Sequence, residues 1–561
     1  MRQFFLIIIG VGLVIQLSGQ TGANKLRERI YMQTDKRLYL AGEQVRMKLL
    51  TVDTEQIPLV FSKVAYVELV EDTIARTQIK VALSNGTGEG LMQLPADLPT
   101  GFYRLIAYTR FMRNEGEQVF FEKNLAIVNT FQPVYSLDKT VITATPPGNN
   151  TDANPMSYPG NISSQTDKKT YSKREHGVLT ITGLPENIHT LSVSIAGKDL
   201  ITEGMSLQNN GLPETVGITE KFIPEIEGHI LTGRIIDNQS GQAVSAYVPL
   251  TTGLSFPGEG LRFFTGQNLE TGDVLFRTSF IAGTIDVATV IYDPNNKYRI
   301  DIVSPFVTRF HAKQMPALPV DSAGFSLLLA RSVALQVSHY FGDDPFGKRF
   351  ISEPSYKLKP TNSYRLDEYT RFTSMRELFI EFISNARFQR TGGKWELSVY
   401  VNQGANSYYG TMPLILLDGA PISNHDLIYN YDPLLIERIN IYNYLCYFGG
   451  NAFEGIVELK TYRGLMQGVT FDKSTQIIPY EGPQSYRKTL FPDYSAGNNR
   501  NDRMPDSRHT LLWEPDVRAE GKPTIVIPFD TSDLPGEYQV TVEGITNEGQ
   551  FIRTKNFFLV E

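Results

Sequence analysis

The sequence predicts a mainly β, multidomain protein: a series of β-sandwiches and one α+β domain. Three observations carry this. The chain has 28 Tyr and 32 Phe against two Trp, with 46 Gly and 31 Pro, a balance that suits many short strands and tight turns. Its first mature segment, ERIYMQTDKRLYLAGEQVRMKLLTVD, puts Val45, Met47 and Leu49 on one face and Arg46 and Lys48 on the other, the period of a half-buried strand. The one well-marked helix has an apolar stripe of Met375, Leu378, Phe379, Phe382 and Ile383 behind Ser374 and Glu377 at capping-box spacing. At roughly 100–200 residues per domain, 561 residues predict four or five domains.

Residues 1–19 read as a secretory signal peptide, with Arg2, an apolar run from Phe4 to Ile15 and small Ser18 and Gly19 before the expected cleavage. The run is shorter than the ~20 residues a helix needs to span a bilayer, so no transmembrane segment is expected in the mature chain. A net charge of -7 offers no basic footprint for nucleic acid. The sole cysteine, Cys446, has no internal partner and reads as a small buried residue.

In chain order, residues 25–132 form the first sandwich. Tyr31, Thr34-Asp35-Lys36, Tyr39, Gly42-Glu43 and Lys48, followed by LPADLPTGFYRLIAYT, resemble the macroglobulin MG2 domain, which implies an Ig-like, macroglobulin-type sandwich. Residues 133–162 are polar and rich in Pro, Gly and Asn, and predict a flexible linker. The motif returns at Thr166-Asp167-Lys168, Tyr171 and Glu175, which predicts a second such module over 163–225. Residues 226–345, with GHILTGRIIDNQSGQAVSAYVPLTT, resemble the carboxypeptidase regulatory-like sandwich, a likeness that implies no peptidase activity. Another repeat links Leu98-Pro99-Thr100-Gly101-Phe102-Tyr103 and Asn114-Glu115-Gly116 to Leu534-Pro535-Gly536-Glu537-Tyr538 and Asn547-Glu548-Gly549. It predicts a C-terminal sandwich over 464–561, hence at least three related modules.

Residues 360–463 carry the α+β domain. LILLDGAPI, Ile436-Glu437-Arg438-Ile439 and Tyr447 through Ile456 resemble the plug of TonB-dependent outer-membrane receptors, with an insertion-like NYLC at 443–446. The hundred residues that follow are too few for a barrel of strands about 9–11 residues each, so the plug is expected to work beside another protein's pore.

Chemistry is harder to find. Seven histidines are scattered, none at the i, i+4 spacing of two zinc ligands on one helical face. No nucleophile elbow occurs, and Gly86, Gly88 and Gly90 predict a hairpin rather than a phosphate loop. Asp35, Glu43, Asp167 and Glu175 are assigned to turn and strand-edge hydrogen bonds. The loop DYSAGNNRNDRMPDS has oxygen donors but no EF-hand spacing and reads as solvated. No catalytic, cofactor or metal residues are assigned, and no enzymatic activity is expected.

The combined resemblances imply an exported protein of a Gram-negative envelope, periplasmic or associated with the outer membrane. Its plug-like domain would meet an outer-membrane β-barrel in nutrient import or secretion, with Asp418, Gly419, Tyr447, Phe448, Gly449 and Gly450 as the partner-binding residues. Two alternatives stand beside this: a periplasmic or surface protein binding glycan or peptide, with tyrosines in NSYYG as stacking surfaces, and a macroglobulin-like peptidase-inhibitor relative without the thioester.

Overall fold

A computed structural model describes residues 26–132, 158–198, 221–315, 318, 322–341, 358–485, 491–495, 503 and 505–561, apart from 259 and 280. The signal-peptide reading of 1–19 and most of the 133–162 linker lie outside these residues. The fold is mainly β, with sandwiches joined to one α+β domain.

The first sandwich is one eight-stranded sheet folded on itself. Its order runs Arg29–Thr34, Gln44–Val52, Thr87–Gln93, Ile74–Ser84, Val64–Glu71, Gly101–Thr109, Phe121–Val128 and Leu38–Leu40. The long strand Ile74–Ser84 belongs to both halves, and Val45, Met47, Leu49, Val67, Leu69 and Leu105 fill the space between. The alternation read from the sequence holds on the inner face. The outer face is not solvent, because Lys48 is buried against the next sandwich, where its Nζ donates to Thr190 and to the Pro515 carbonyl. Asn85 and Gly86 both have positive φ, at 51° and 79°, and form the two-residue turn between Ile74–Ser84 and Thr87–Gln93, as a type I′ hairpin requires.

The modules predicted over 163–225 and 464–561 are not separate. Strand Ile188–Gly197 pairs with Gly536–Thr546 on one side and Thr510–Glu514 on the other, while His176–Thr182 pairs with Thr524–Asp530. Leu179, Ile181, Leu191, Val193, Val540, Val542 and Phe558 share one core. Two repeats in the sequence therefore reflect two modules rather than three, the second cut open by an insertion.

The equivalence extends to single bonds. Tyr39 donates to Asp35 Oδ1 at 2.7 Å and Tyr171 to Asp167 Oδ1 at 2.6 Å. The same oxygens accept from Arg46 N at 3.1 Å and from Val178 N at 2.7 Å. Tyr103 donates to the Pro99 carbonyl and Tyr538 to that of Leu534. In both modules the strand after the motif lies parallel to the closing strand, Leu38–Leu40 on Phe121–Val128 and Thr170–Tyr171 on Phe551–Val560. The buried tyrosine thus ties the motif's turn to the strand that follows it.

A third sandwich occupies the cut. One sheet is ordered Gln267–Asn268, Asp273–Arg277, Ile230–Asp237, Tyr298–Val303, and the other Phe263–Thr265, Thr252–Ser255, Thr284–Ile291, Thr475–Glu481. The last of these strands lies beyond the α+β domain, so the 226–345 boundary is corrected at both levels. The domain is inserted in the third sandwich, and the third sandwich in the second. Gln484 then crosses back to the first: its backbone bonds Ala82 N and Lys80 O, and its side-chain amide bonds both N and O of Leu91. It bridges the gap where Ile74–Ser84 and Thr87–Gln93 part.

Helix Ser322–Phe341, which no sequence pattern marked, also leaves the third module. Leu328 packs with Leu38, Leu40, Phe102, Ala126 and Val128 of the first sandwich. Arg331 forms a bidentate bond to Glu43, at 2.9 and 2.6 Å. Burial alone would raise the Glu43 carboxyl, but Arg331 and Lys36 beside it hold it below the usual carboxylate range.

Candidate functional site: the inserted α+β domain

A five-stranded mixed sheet forms the middle layer, ordered Asn362–Arg365, Ile436–Phe448, Asn451–Thr461, Leu414–Leu417, Ala420–Ile422. Alternation sends its residues to opposite faces. Ile415, Leu417, Ile439, Ile441, Val457 and Leu459 pack under helices Met375–Glu381 and His425–Tyr429 and a three-stranded sheet of Ala386–Thr391, Lys394–Val401 and Tyr408–Gly410. Ser374 caps the first helix as its spacing predicts, accepting from Glu377 N at 3.2 Å. Leu414, Leu416, Tyr442 and Ile456 face the other way, onto Leu261, Phe263 and Val290 of the third sandwich. One core thus runs from host into guest.

The predicted partner-binding residues fall mostly on this seam. Asp418 and Gly419 form a two-residue turn between Leu414–Leu417 and Ala420–Ile422, with φ of 49° and 85°. Asp418 is buried and accepts from Thr461 N at 2.7 Å, Thr461 Oγ1 at 2.6 Å and Met466 N at 2.7 Å, while its carbonyl accepts from Gly258 N at 3.0 Å. A Cβ on Gly419 would lie 3.1 Å from Pro257 Cα. Phe448 is also buried, edge-on to Phe263 with ring centroids 5.4 Å apart, and its carbonyl accepts from Thr265 Oγ1 at 2.6 Å. Gly449, φ 56°, sits against the same Thr265. Tyr447, Gly449 and Gly450 are exposed. Four of the six residues, Asp418, Gly419, Phe448 and Gly449, therefore join guest to host.

The insertion-like NYLC is a register shift between Tyr442 and Leu445 inside one thirteen-residue strand, Ile436–Phe448. Such a bulge bends a strand. Cys446 lies just past it, paired with Phe453 and 5% exposed, its thiol pushed up to about 11 by burial, the opposite of what a nucleophile needs.

Two exposed areas remain on the domain. Around the Asn451 end, Tyr408, Met412 and Tyr447 are exposed, and Glu454 Oε2 accepts from Thr411 N at 2.7 Å and Met412 N at 3.2 Å. At the opposite end stand Tyr369, Leu434, Tyr462 and Leu465, the last 73% exposed. Arg371 organises this end, donating to the carbonyls of Pro433 at 2.8 Å and Ile436 at 3.1 Å and to Tyr462 Oη at 3.4 Å. Beside it an open groove of about 380 Å³ is lined by Tyr431, Leu435, Val469 and the carboxylates Asp426 and Asp432. Nothing in the sequence marks this end, because its apolar residues sit singly in turns and one short 3-10 helix, without a period.

No helix among the described residues is long and apolar enough to cross a membrane, which says nothing of β-barrels. No family model and no curated protein matches the chain. Among solved structures it is similar to Salmonella alpha-2-macroglobulin reacted with methylamine (TM-score 0.24, 10% identity, covering 95% of this chain and 39% of that one). It is likewise similar to trypsin-activated alpha-2-macroglobulin from Escherichia coli (TM-score 0.23, 10% identity, 95% and 41%). The Yersinia pseudotuberculosis adhesin InvE scores 0.13 at 10% identity, over 50% of this chain and 62% of that one. The chain spans about two fifths of the macroglobulins' length, and scores this low do not bear on its fold, activity or partners.

Proposed function

We propose that the chain is a non-enzymatic accessory protein of a Gram-negative envelope, whose sandwiches hold the 362–461 domain against an outer-membrane β-barrel engaged in import or secretion. The supporting observation is the way the domain is mounted. One sheet face is sealed to the third sandwich through Phe263 and Phe448, and the far end presents Tyr369, Leu434, Tyr462 and Leu465. A domain with one face covered cannot fill a barrel's lumen, so it meets the barrel at its mouth, through the exposed apolar end. The plug-like motifs quoted above are what favour a barrel as the kind of partner.

The test is a photo-crosslinking residue at Tyr462 or Leu465 in the native host, with Tyr247 of the third sandwich, also exposed, as control. Adducts from 462 and 465, but not 247, to one outer-membrane barrel are expected. Equal adducts from all three, or no membrane neighbour, would defeat the proposal.

A second reading, recognition of glycan, is favoured by Tyr408 and Tyr447 flanking Glu454, two rings and a carboxylate as a sugar's apolar face and hydroxyls need. Tyr447→Ala abolishing a glycan-array signal would support it; an array without signal would remove it.

A further inference from the structure

Away from the inserted domain, three side chains far apart in sequence converge on the split sandwich. His176 opens strand His176–Thr182, and Asp530 closes Thr524–Asp530 directly opposite it in the ladder. Asp493 arrives from the segment leading into the module's second half. One imidazole nitrogen and one oxygen from each carboxylate all lie within 4.8 Å of one another.

We propose that His176, Asp493 and Asp530 bind a divalent transition-metal ion of the zinc type, pinning the re-entering chain to the split sandwich. Ligands bound to zinc at about 2.0–2.2 Å in a tetrahedron lie roughly 3.3–3.5 Å from one another. His176 Nδ1 and Asp530 Oδ1 are already 3.1 Å apart. Asp493 is exposed, and its Oδ1 accepts from Ser495 N at 2.8 Å; a side-chain rotation that exchanges this bond for the ion closes the remaining distance. Tyr494 N donates to the same Asp530 Oδ1 at 3.2 Å, a bond that orients the carboxylate toward the ion. Water completes the coordination.

Charge balance is the second, independent observation. Asp530 is only 8% exposed, and a buried carboxylate is costly without a cation. The nearby guanidiniums are matched to other acids. Arg174 is bidentate to Asp533 at 2.8 and 2.6 Å, and Arg508 to Asp506 at 2.7 and 2.6 Å. Two carboxylates therefore converge on one imidazole. A mixed nitrogen and oxygen set suits zinc and its neighbours, while calcium takes six to eight oxygens.

The experiment is calorimetric titration of the tag-free, chelator-stripped full chain with zinc chloride, then calcium chloride, on wild type, His176→Ala and Asp493→Asn. Expected are one equivalent of zinc in the micromolar range or tighter, at least tenfold weakening in each variant, and no heat with calcium. Asp493 is on an exposed loop, so its variant keeps the fold; circular dichroism checks both. No zinc binding by wild type, or binding that either variant leaves unchanged, would reduce the cluster to an ordinary His–Asp pair and overturn the proposal.

Discussion

Protonation of His425 should loosen the inserted domain. His425 begins helix His425–Tyr429, and its Nδ1 accepts from Leu397 N at 3.0 Å, while the next residue, Asp426, accepts from Trp395 N at 2.8 Å. These side chains stand in for a missing neighbour along Lys394–Val401, whose pairing with Tyr408–Gly410 starts only at Val399. A protonated Nδ1 could not accept that bond. Burial lowers the pKa of His425 to about 4, against the opposing pull of Glu396 and Asp426. The unfolded chain, with a pKa near 6.5, takes up the proton first. Stability is therefore unaffected above about pH 6.5 and falls between there and pH 4. At 1.36 kcal/mol per unit the whole shift is worth about 3 kcal/mol; since the ring is partly exposed, about 2 kcal/mol should be lost by pH 4.5. Trp395, stacked on Tyr429 at 4.1 Å, reports on this region. In a Trp513→Phe background its fluorescence gives urea midpoints at pH 7 and 4.5. His425→Asn, which retains an acceptor but does not titrate, should lose about 2 kcal/mol less over that range. Equal losses in the two proteins would refute the reasoning.

The seam between guest and host should behave as one core: Phe263→Ala and Phe448→Ala should each cost about 3–5 kcal/mol. A double-mutant cycle, read by hydrogen exchange in both Thr284–Ile291 and Ile436–Phe448, should show coupling of about 0.5–1.5 kcal/mol, whereas additive effects would mean independent packing. Arg331→Met should cost about 3 kcal/mol, because it deprives buried Glu43 of its bidentate partner and leaves it Lys36 and the Leu40 N–H. It should also speed exchange across Ser322–Phe341, and adding Glu43→Gln should restore most of the loss.

The sequence disclosed what is local. Alternation at Val45, Met47 and Leu49, the cap at Ser374, the turn at Asp418-Gly419 and the Tyr39 and Tyr171 motifs all stand as read, since each depends on residues a few positions apart. It did not disclose what depends on long-range pairing. Strand Thr170–Tyr171 and its partner in Phe551–Val560 carry no mark that they belong together, so one interrupted module reads as two. The outward-facing Lys48 reads as solvated until Pro515 is brought beside it. The plug-like motif points to Asp418 and Phe448 as partner-binding, yet both hold the seam. His176 looked isolated because its neighbours lie more than three hundred positions away.

Nesting one domain inside another also sets an order of assembly. About 340 residues separate Gly197 from Gly536, so at synthesis rates of roughly 5–20 residues per second the strand Ile188–Gly197 waits from about 17 to 70 seconds for its central partner. An unpaired apolar strand left that long invites aggregation. Here the wait is sheltered. Ser192 bonds Gln33, and Ser194 donates to the Asp35 carbonyl at 2.6 Å, so one face of the waiting strand can dock on the first sandwich, all of whose strands have already emerged. The innermost domain closes before its host, and each finished guest brings the cut ends of the next layer together, lowering the entropy cost of a very long loop. The first sandwich thus acts as a template for a module whose two halves are made far apart in time.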